Sequence, residues 1–236
     1  MPVVKLIVLQ LIAHLLYDFV FQPAEWSNNK KSSLFSAFHA YHVLIVFLFS
    51  YILSFDPGFW TGALVLAFLH LLTDMSKSFL HIKNRSRNIF FIDQVVHLIS
   101  IVLVVGAYSR LYSINFIFEL DLFILAVAAG FILCSKPSNV LIKNIFISFS
   151  IETPGDGHGI ENDGGLPNAG KLIGISERYL ALALIILGQY PAVGLIIAAK
   201  SILRLNSTQK SEYVLVGTLL SFGIAVFSGI IINLAR

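Results

Sequence analysis

Apolar residues run along this chain in long blocks separated by short polar breaks, and the blocks are too long for strands. They extend from Val3 to Phe21, Leu34 to Leu53, Trp60 to Met75, Ile89 to Tyr108, Asp121 to Cys134, Ile173 to Leu187, Ala192 to Leu205 and Tyr213 to Leu234. Runs of about 15 to 22 such residues predict membrane helices, because a helix rises about 1.5 Å per residue and a hydrocarbon core is about 30 Å thick. The expectation is an all-α, polytopic transmembrane bundle of about eight segments. The two runs flanking Gly188-Gln189-Tyr190-Pro191 are short for a full crossing and predict a hairpin that is either tilted or re-entrant.

The pattern divides the chain into a front bundle at 1–136, a polar stretch at 137–172 and a rear three-helix group at 173–236. Within the polar stretch, Asn139 to Phe149 reads as an amphipathic segment. The run from Glu152 to Gly165 is rich in glycine and acidic residues and reads as a loop. The first helix lacks a small-residue cleavage site and carries His14 and Asp18, so it reads as a retained span rather than a secretory signal.

Composition changes the picture by excluding alternatives. The 236 residues are 57% hydrophobic and 12% charged, about half the charge of a soluble domain. Packed as one soluble globule, the chain would have too few polar groups to cover its surface. One cysteine, Cys134, excludes an internal disulfide and a cysteine zinc site. A net charge of +3, with basic residues between apolar runs rather than in a patch, argues against nucleic acid. Twelve of the 16 basic residues fall in alternate connections: Lys30 and Lys31; Lys77, Lys83, Arg85 and Arg87; Lys136, Lys143 and Lys171; Lys200, Arg204 and Lys210. Lys and Arg are retained on the cytoplasmic side, which predicts cytoplasmic connections there, including 137–172, and non-cytoplasmic termini. Trp26 and Trp60 read as interface anchors.

The candidate chemistry lies in the polar residues of the first four helices. His14 and Asp18, His70 and Asp74, and Asp93 and His97 are each four apart, and His39 and His42 three apart, which puts each pair on one helix face. Measured from the cytoplasmic ends, the Asp residues and His39 lie roughly 2 to 8 Å deep and the other four imidazoles roughly 7 to 12 Å deep. Such groups cost roughly 2.5 to 3.5 kcal/mol each in a membrane helix, so clustering at one depth predicts a shared role. His14, Asp18, His70, Asp74, Asp93 and His97 are the candidate metal ligands, with His39 or His42 completing the set or acting as base. The mixed imidazole and carboxylate chemistry suits zinc, manganese or iron. Gln22 and Gln94 read either as hydrogen-bonding supports of the ligands or as interfacial glutamines facing headgroups, and Lys77 either as an anion contact or, more simply, as a positive-inside anchor. In the rear group, Glu177, Arg178, Lys200 and Arg204 form either a mutual ion-pair set or a receptor for an anionic headgroup.

Two weaker motifs carry less. Gly165 to Lys171 has the spacing of a phosphate-binding loop, but Leu172 stands where a magnesium-binding hydroxyl is required. Asp156, His158 and Asp163 lack the alternation of a calcium loop. A self-satisfying role for each His/Asp pair is the bland alternative to a site.

These motifs resemble those of a bacterial family of integral membrane proteins catalogued as a domain of unknown function. The resemblance rests on Asp18-Phe19-Val20-Phe21-Gln22, His39 to His42, His70-Leu71-Leu72-Thr73-Asp74 with Lys77, and Ile92-Asp93-Gln94 with His97. In the rear half it rests on Gly170 to Gly174 with Glu177-Arg178, Ala199-Lys200-Ser201 with Arg204, and Gly217 to Phe222. It implies that the polar residues belong to a shared pattern and supplies no activity. Three functions then compete: a metal-dependent hydrolase acting on a lipid-linked or phosphorylated substrate, a proton or divalent-cation transporter using the same layer, and a scaffold that binds a membrane protein or a second copy of itself.

Overall fold

The computed structural model describes residues 1–22, 37–82, 88–151, 169–204 and 211–236, and among these there is no strand. The chain forms two compact units, Met1–Leu125 and Ala126–Arg236. The first contains α1 (Pro2–Leu15), α2 (Ala37–Ile52), α3 (Trp60–Ile82) and α4 (Ile89–Leu111). The second contains most of α5 (Leu122–Cys134), then α6 (Lys136–Ser148), α7 (Ala169–Ile186), α8 (Tyr190–Arg204) and α9 (Ser211–Leu234).

In the first unit α1 packs on α2, α2 on α3, α3 on α4 and α4 back on α1, closing a four-helix ring. Successive helices run antiparallel, as facing residues show: Gln10 meets Ser50 while His14 lies in a cluster with His42 and His70, and Phe59 meets Tyr108 while Lys77 meets Asp93. One half of the ring is apolar, with Leu6, Phe59, Ala63, Leu66, Ile101, Val104, Val105 and Tyr108 buried together. The other half holds the His and Asp residues.

The apolar end is closed by the turn between α2 and α3. Phe55 takes a positive φ of 51°, which costs a β-carbon residue energy, and buried Asp56 holds the turn. Its Oδ1 accepts from the Gly58 N–H at 2.9 Å, and its Oδ2 accepts from the Tyr108 hydroxyl at 3.1 Å and the Asn115 N–H at 3.3 Å. These bonds satisfy orphan donors at the start of α3 and tie it to the end of α4.

In the second unit α7 packs along α9, with α8 against α7 and α6 against both α9 and α7. The fit is close at Gly229, where a β-carbon would stand 2.5 Å from Ile185 Cγ2. Helix α5 meets α6 at a bend of 49°.

Four described helical stretches are long and apolar enough to cross a membrane: Pro2–Val20, Pro57–Leu80, Ile89–Leu111 and Leu215–Leu234. The bent pair Leu122–Cys134 and Lys136–Ser148 brings the number to five if it forms one span. The expected eight segments are therefore not reproduced. Ala37–Ile52 and Tyr190–Ile202 are apolar but shorter, and Asn139 to Phe149, expected as an amphipathic segment, falls mostly within α6. Trp60 opens α3 and is exposed. Trp26, His158, Asp156, Asp163 and most of the glycine-rich motif before Lys171 lie outside the described residues.

Candidate metal centre

Antiparallel packing brings the four polar pairs of the first unit to one end of the ring, and the local geometry of α1 decides how they meet. From Leu16 to Val20 the helix widens into a π turn, closed by the Phe21 N–H on the Leu16 carbonyl at 2.8 Å. Such one-turn expansions often occur at functional sites. Here, Tyr17 and His14 are both buried, and the Asp18 side chain is 10% exposed.

Three ligand-type atoms converge from three helices. Asp18 Oδ1 lies 3.0 Å from His42 Nε2 and 3.3 Å from His70 Nε2, and the two imidazole nitrogens are 3.0 Å apart. Asp74 Oδ2 stands behind them, 3.8 Å from His70 Nε2 and 4.0 Å from His42 Nε2. Atoms bound at 2.0 to 2.1 Å to a tetrahedral ion are separated by about 3.3 Å, so the three edges of this triangle are close to those of an ion's ligand set. The group His42, His70 and Asp74 and the group His14, Asp18 and His70 each have ligand atoms within 4.8 Å of one another, as do Asp74, Asp93 and His97.

A hydrogen-bonded arm supports the cluster. Lys77 Nζ donates to Asp93 Oδ2 at 2.6 Å, and Gln94 Nε2 donates to the same oxygen at 3.1 Å. With its amide nitrogen committed to Asp93, Gln94 turns Oε1 toward His14 Nε2, 3.1 Å away. That bond assigns the His14 proton to Nε2 and leaves Nδ1 as a bare lone pair, which lies 3.8 Å from Asp18 Oδ2. His14 Nδ1 is buried without a hydrogen bond among the described residues, and His97 Nε2 and Asp93 Oδ1, also buried, have only each other, 3.4 Å apart. Lone pairs and carboxylate oxygens facing one another out of water are unfavourable until a proton or cation lies between them. The imidazole and carboxylate donors could therefore hold a metal ion.

The rings are packed as well as the polar atoms. His97 stacks on His70 with centroids 4.1 Å apart and an interplanar angle of 18°. Tyr17 presents itself edge-to-face to His14, His42 and His70. Sequence reasoning missed Tyr17, whose signal was its place one residue before Asp18 on a turn that is not α-helical. It also missed Ser78, whose hydroxyl lies 3.4 Å from His39 Nε2. His39 is buried beside Ser78 and belongs to none of the three ligand groups. Gln22 lies just past the π turn, half-buried.

In the second unit, the rear cations divide their roles. Lys200 is paired with Glu177 and lies over the Phe222 ring. Among the described residues, the hydrogen-bond acceptors of Arg178 are all neutral. Its Nε donates to the Cys134 carbonyl at 2.7 Å, Nη1 to Ser221 Oγ at 3.0 Å, and Nη2 to Asn139 Oδ1 at 2.7 Å and the Ser135 carbonyl at 3.3 Å. The guanidinium thus holds the carbonyls left open at the α5–α6 break, while the ion pair that one of the two alternatives expected is made by Lys200 and Glu177. Arg204 ends α8, and its side chain lies outside the described residues.

The fold and cluster define an all-α bundle with membrane-length helices and buried His/Asp groups capable of holding a metal ion. The chain belongs to the family described as a protein of unknown function (DUF3307), whose model matches residues 6–128, just over half of the sequence and the whole of the front cluster. The rear motifs that carried part of the resemblance lie beyond the matched region. No curated protein and no solved structure is similar enough to the chain to be matched.

Proposed function

We propose that this protein is an integral membrane metallohydrolase that acts on a lipid-linked phosphorylated substrate, with one divalent ion held by Asp18, His42, His70 and Asp74. The observation that carries the reading is the triangle of Asp18 Oδ1, His42 Nε2 and His70 Nε2, with edges of 3.0 to 3.3 Å. When bound, the ion would lower the pKa of a water toward about 7 and polarise a phosphoryl oxygen.

The remaining roles fall to residues of the chain. A cavity of about 250 Å³ lies between α3 and α4, with Leu72, Leu80, Ile92 and Val96 among its apolar lining and Lys77 and Asp93 in its polar wall. Leu72, Ile92 and Val96 are exposed on the outer faces of membrane-length helices, so a substrate can enter sideways from the leaflet with its chain among these side chains. Lys77 offers an ammonium to the phosphoryl oxygens. The bare Nδ1 of His14 takes a proton as the water oxygen bonds to phosphorus. The ester P–O bond then breaks, and the leaving oxygen receives that proton. Tyr17 and Phe19, both in edge contact with His14, close the site on one side. This reading includes the eight-segment topology, with the short apolar helices in the membrane, 137–172 cytoplasmic and the termini outside a bacterial inner membrane.

Metal analysis of detergent-purified protein, with release of phosphate from a phospholipid or polyprenyl phosphate as the activity, tests the proposal. Wild type is expected to carry metal and to release phosphate, and His42→Ala and Asp74→Asn to bind less metal and to release none. Metal-free wild type, or metal retained in full by both variants, refutes the reading.

Transport is the second reading, and one observation favours it. Polar groups continue past the cluster, since Gln10 and Ser50 are buried one and two turns beyond His14 and His42, with Gln10 Nε2 donating to the Ser50 carbonyl at 2.9 Å. Against it, Ala13, Val46 and Ala67 are buried together around that level, and the apolar half of the ring follows. Proton or cation flux into vesicles without phosphate release would replace the first reading with the second.

A further inference from the structure

The side of the cluster nearest α4 has ligand-type atoms that the proposed ion does not use. Asp93 and His97 are 4% and 3% exposed, and Asp93 Oδ1 faces His97 Nε2 at 3.4 Å, with no hydrogen bond from either atom to a third group among the described residues. That separation again matches the about 3.3 Å between ligands of one tetrahedral ion. The carboxylate is held in this orientation from behind. Lys77 and Gln94 both donate to Oδ2, which fixes the rotamer and leaves Oδ1 directed at His97, as outer hydrogen bonds do for ligating carboxylates.

Asp74 connects the two sides. Its Oδ2 is within 4.0 Å of both His42 Nε2 and His70 Nε2, and it also forms a group with Asp93 and His97 whose ligand atoms lie within 4.8 Å of one another. The stacked rings of His70 and His97 keep the two sides of the cluster next to one another. Their centroids are 4.1 Å apart and their planes nearly parallel, close to the 3.5 to 4 Å between ions in two-metal hydrolytic sites.

We propose that the cluster is a two-ion centre in which Asp93 and His97 hold a second divalent cation and Asp74 is shared with the first. The inference rests on the one-ion reading above and extends it. It also narrows the substrate class, because two ions at this spacing favour an oxyanion such as a phosphoryl group that can contact both.

The test is metal content per chain, measured on full-length protein in detergent after stripping with chelator and reloading with Mn(II), together with the electron paramagnetic resonance spectrum. Wild type is expected to take up two ions per chain and to give the broadened signal of a coupled pair. Asp93→Asn and His97→Ala should each retain one ion and give the six-line signal of an isolated Mn(II), and that retained ion also shows that the variant is folded. One ion per wild-type chain at saturation overturns the second position and leaves the first reading standing. Two ions retained in both variants, or none in either, also overturns it, and no ion in wild type removes the one-ion reading as well.

Discussion

The Lys77–Asp93 contact is the point where the cluster's electrostatics can be measured without any metal. Replacing Lys77 with Met keeps an apolar stem of similar length and removes the ammonium 2.6 Å from Asp93 Oδ2. At an effective dielectric constant of about 20, two unit charges at that distance attract by about 6 kcal/mol before desolvation is subtracted. The Asp93 side chain is 2% exposed and that of Lys77 is 26% exposed, so solvent screening reduces the figure on the lysine side. Loss of one member of a buried pair costs about 3 to 5 kcal/mol because the other charge stays behind, and the partial exposure places Lys77→Met at the low end, about 3 kcal/mol. Asp93→Asn keeps an acceptor for Gln94 and removes the charge that Lys77 meets. The double variant has no stranded charge and should be less destabilised than the sum of the single variants by about 2 kcal/mol, within the range for residues in contact. Unfolding followed by circular dichroism in detergent, with chelator present throughout, gives all four corners of the cycle. Additivity to within about 0.5 kcal/mol would refute the claim that this pair is a strong buried interaction.

Three further outcomes follow from particular contacts. Gln94→Ala removes the group that orients both Asp93 and His14 and should weaken binding of the second ion, the one Asp93 holds, by about 10- to 100-fold, the usual cost of an outer hydrogen bond to a ligand; equilibrium dialysis would show it, and an unchanged affinity would count against the arm. Arg178→Lys keeps the charge but cannot hold the Cys134 and Ser135 carbonyls, Asn139 and Ser221 at once, so it should cost about 2 to 3 kcal/mol. That loss should appear in thermal unfolding, and a variant as stable as wild type would show that the clamp on the α5–α6 break is dispensable. Asp56→Ala leaves the buried Tyr108 hydroxyl and the Gly58 and Asn115 N–H groups short of their acceptor and should destabilise the first unit by about 2 to 3 kcal/mol. Hydrogen exchange localised to the α2–α3 turn and the end of α4 would report it.

How much of this was legible in the sequence follows from which forces act locally. Helical spacing places Asp93 and His97 on one face whatever surrounds them, and alternating helix direction then brings four such faces to one end of the bundle. That much could be read from residue numbers. The choice of partners could not, because it depends on the azimuth at which each helix meets its neighbours. His42, taken as a finishing ligand or a base, forms one corner of the triangle with Asp18 and His70, whereas His39, three residues earlier, faces Ser78. Arg178 shows the same limit at longer range: its acceptors are 39 to 44 residues away along the chain, and the need for them arises only because α5 breaks at Ser135.

The π turn at Leu16–Val20 shows why the decisive geometry was the hardest part to anticipate. In a regular α-helix each residue turns by about 100°, so Tyr17 and Asp18 would point in clearly different directions. A wider turn rotates each residue by less and draws neighbouring side chains toward one face. Tyr17 can then lie edge-on to His14, His42 and His70 while Asp18 Oδ1 reaches His42 and His70. Hydrophobic periodicity averages over several turns and cannot register one expanded turn at the end of a helix. The sequence does carry the cause in another form. An aromatic residue and a carboxylate stand side by side in a segment that must face three buried imidazoles, and a helix that served only one of them would leave the other against lipid or apolar side chains. The expansion satisfies both, and it is the local distortion on which the contact between Asp18 and its two imidazoles depends.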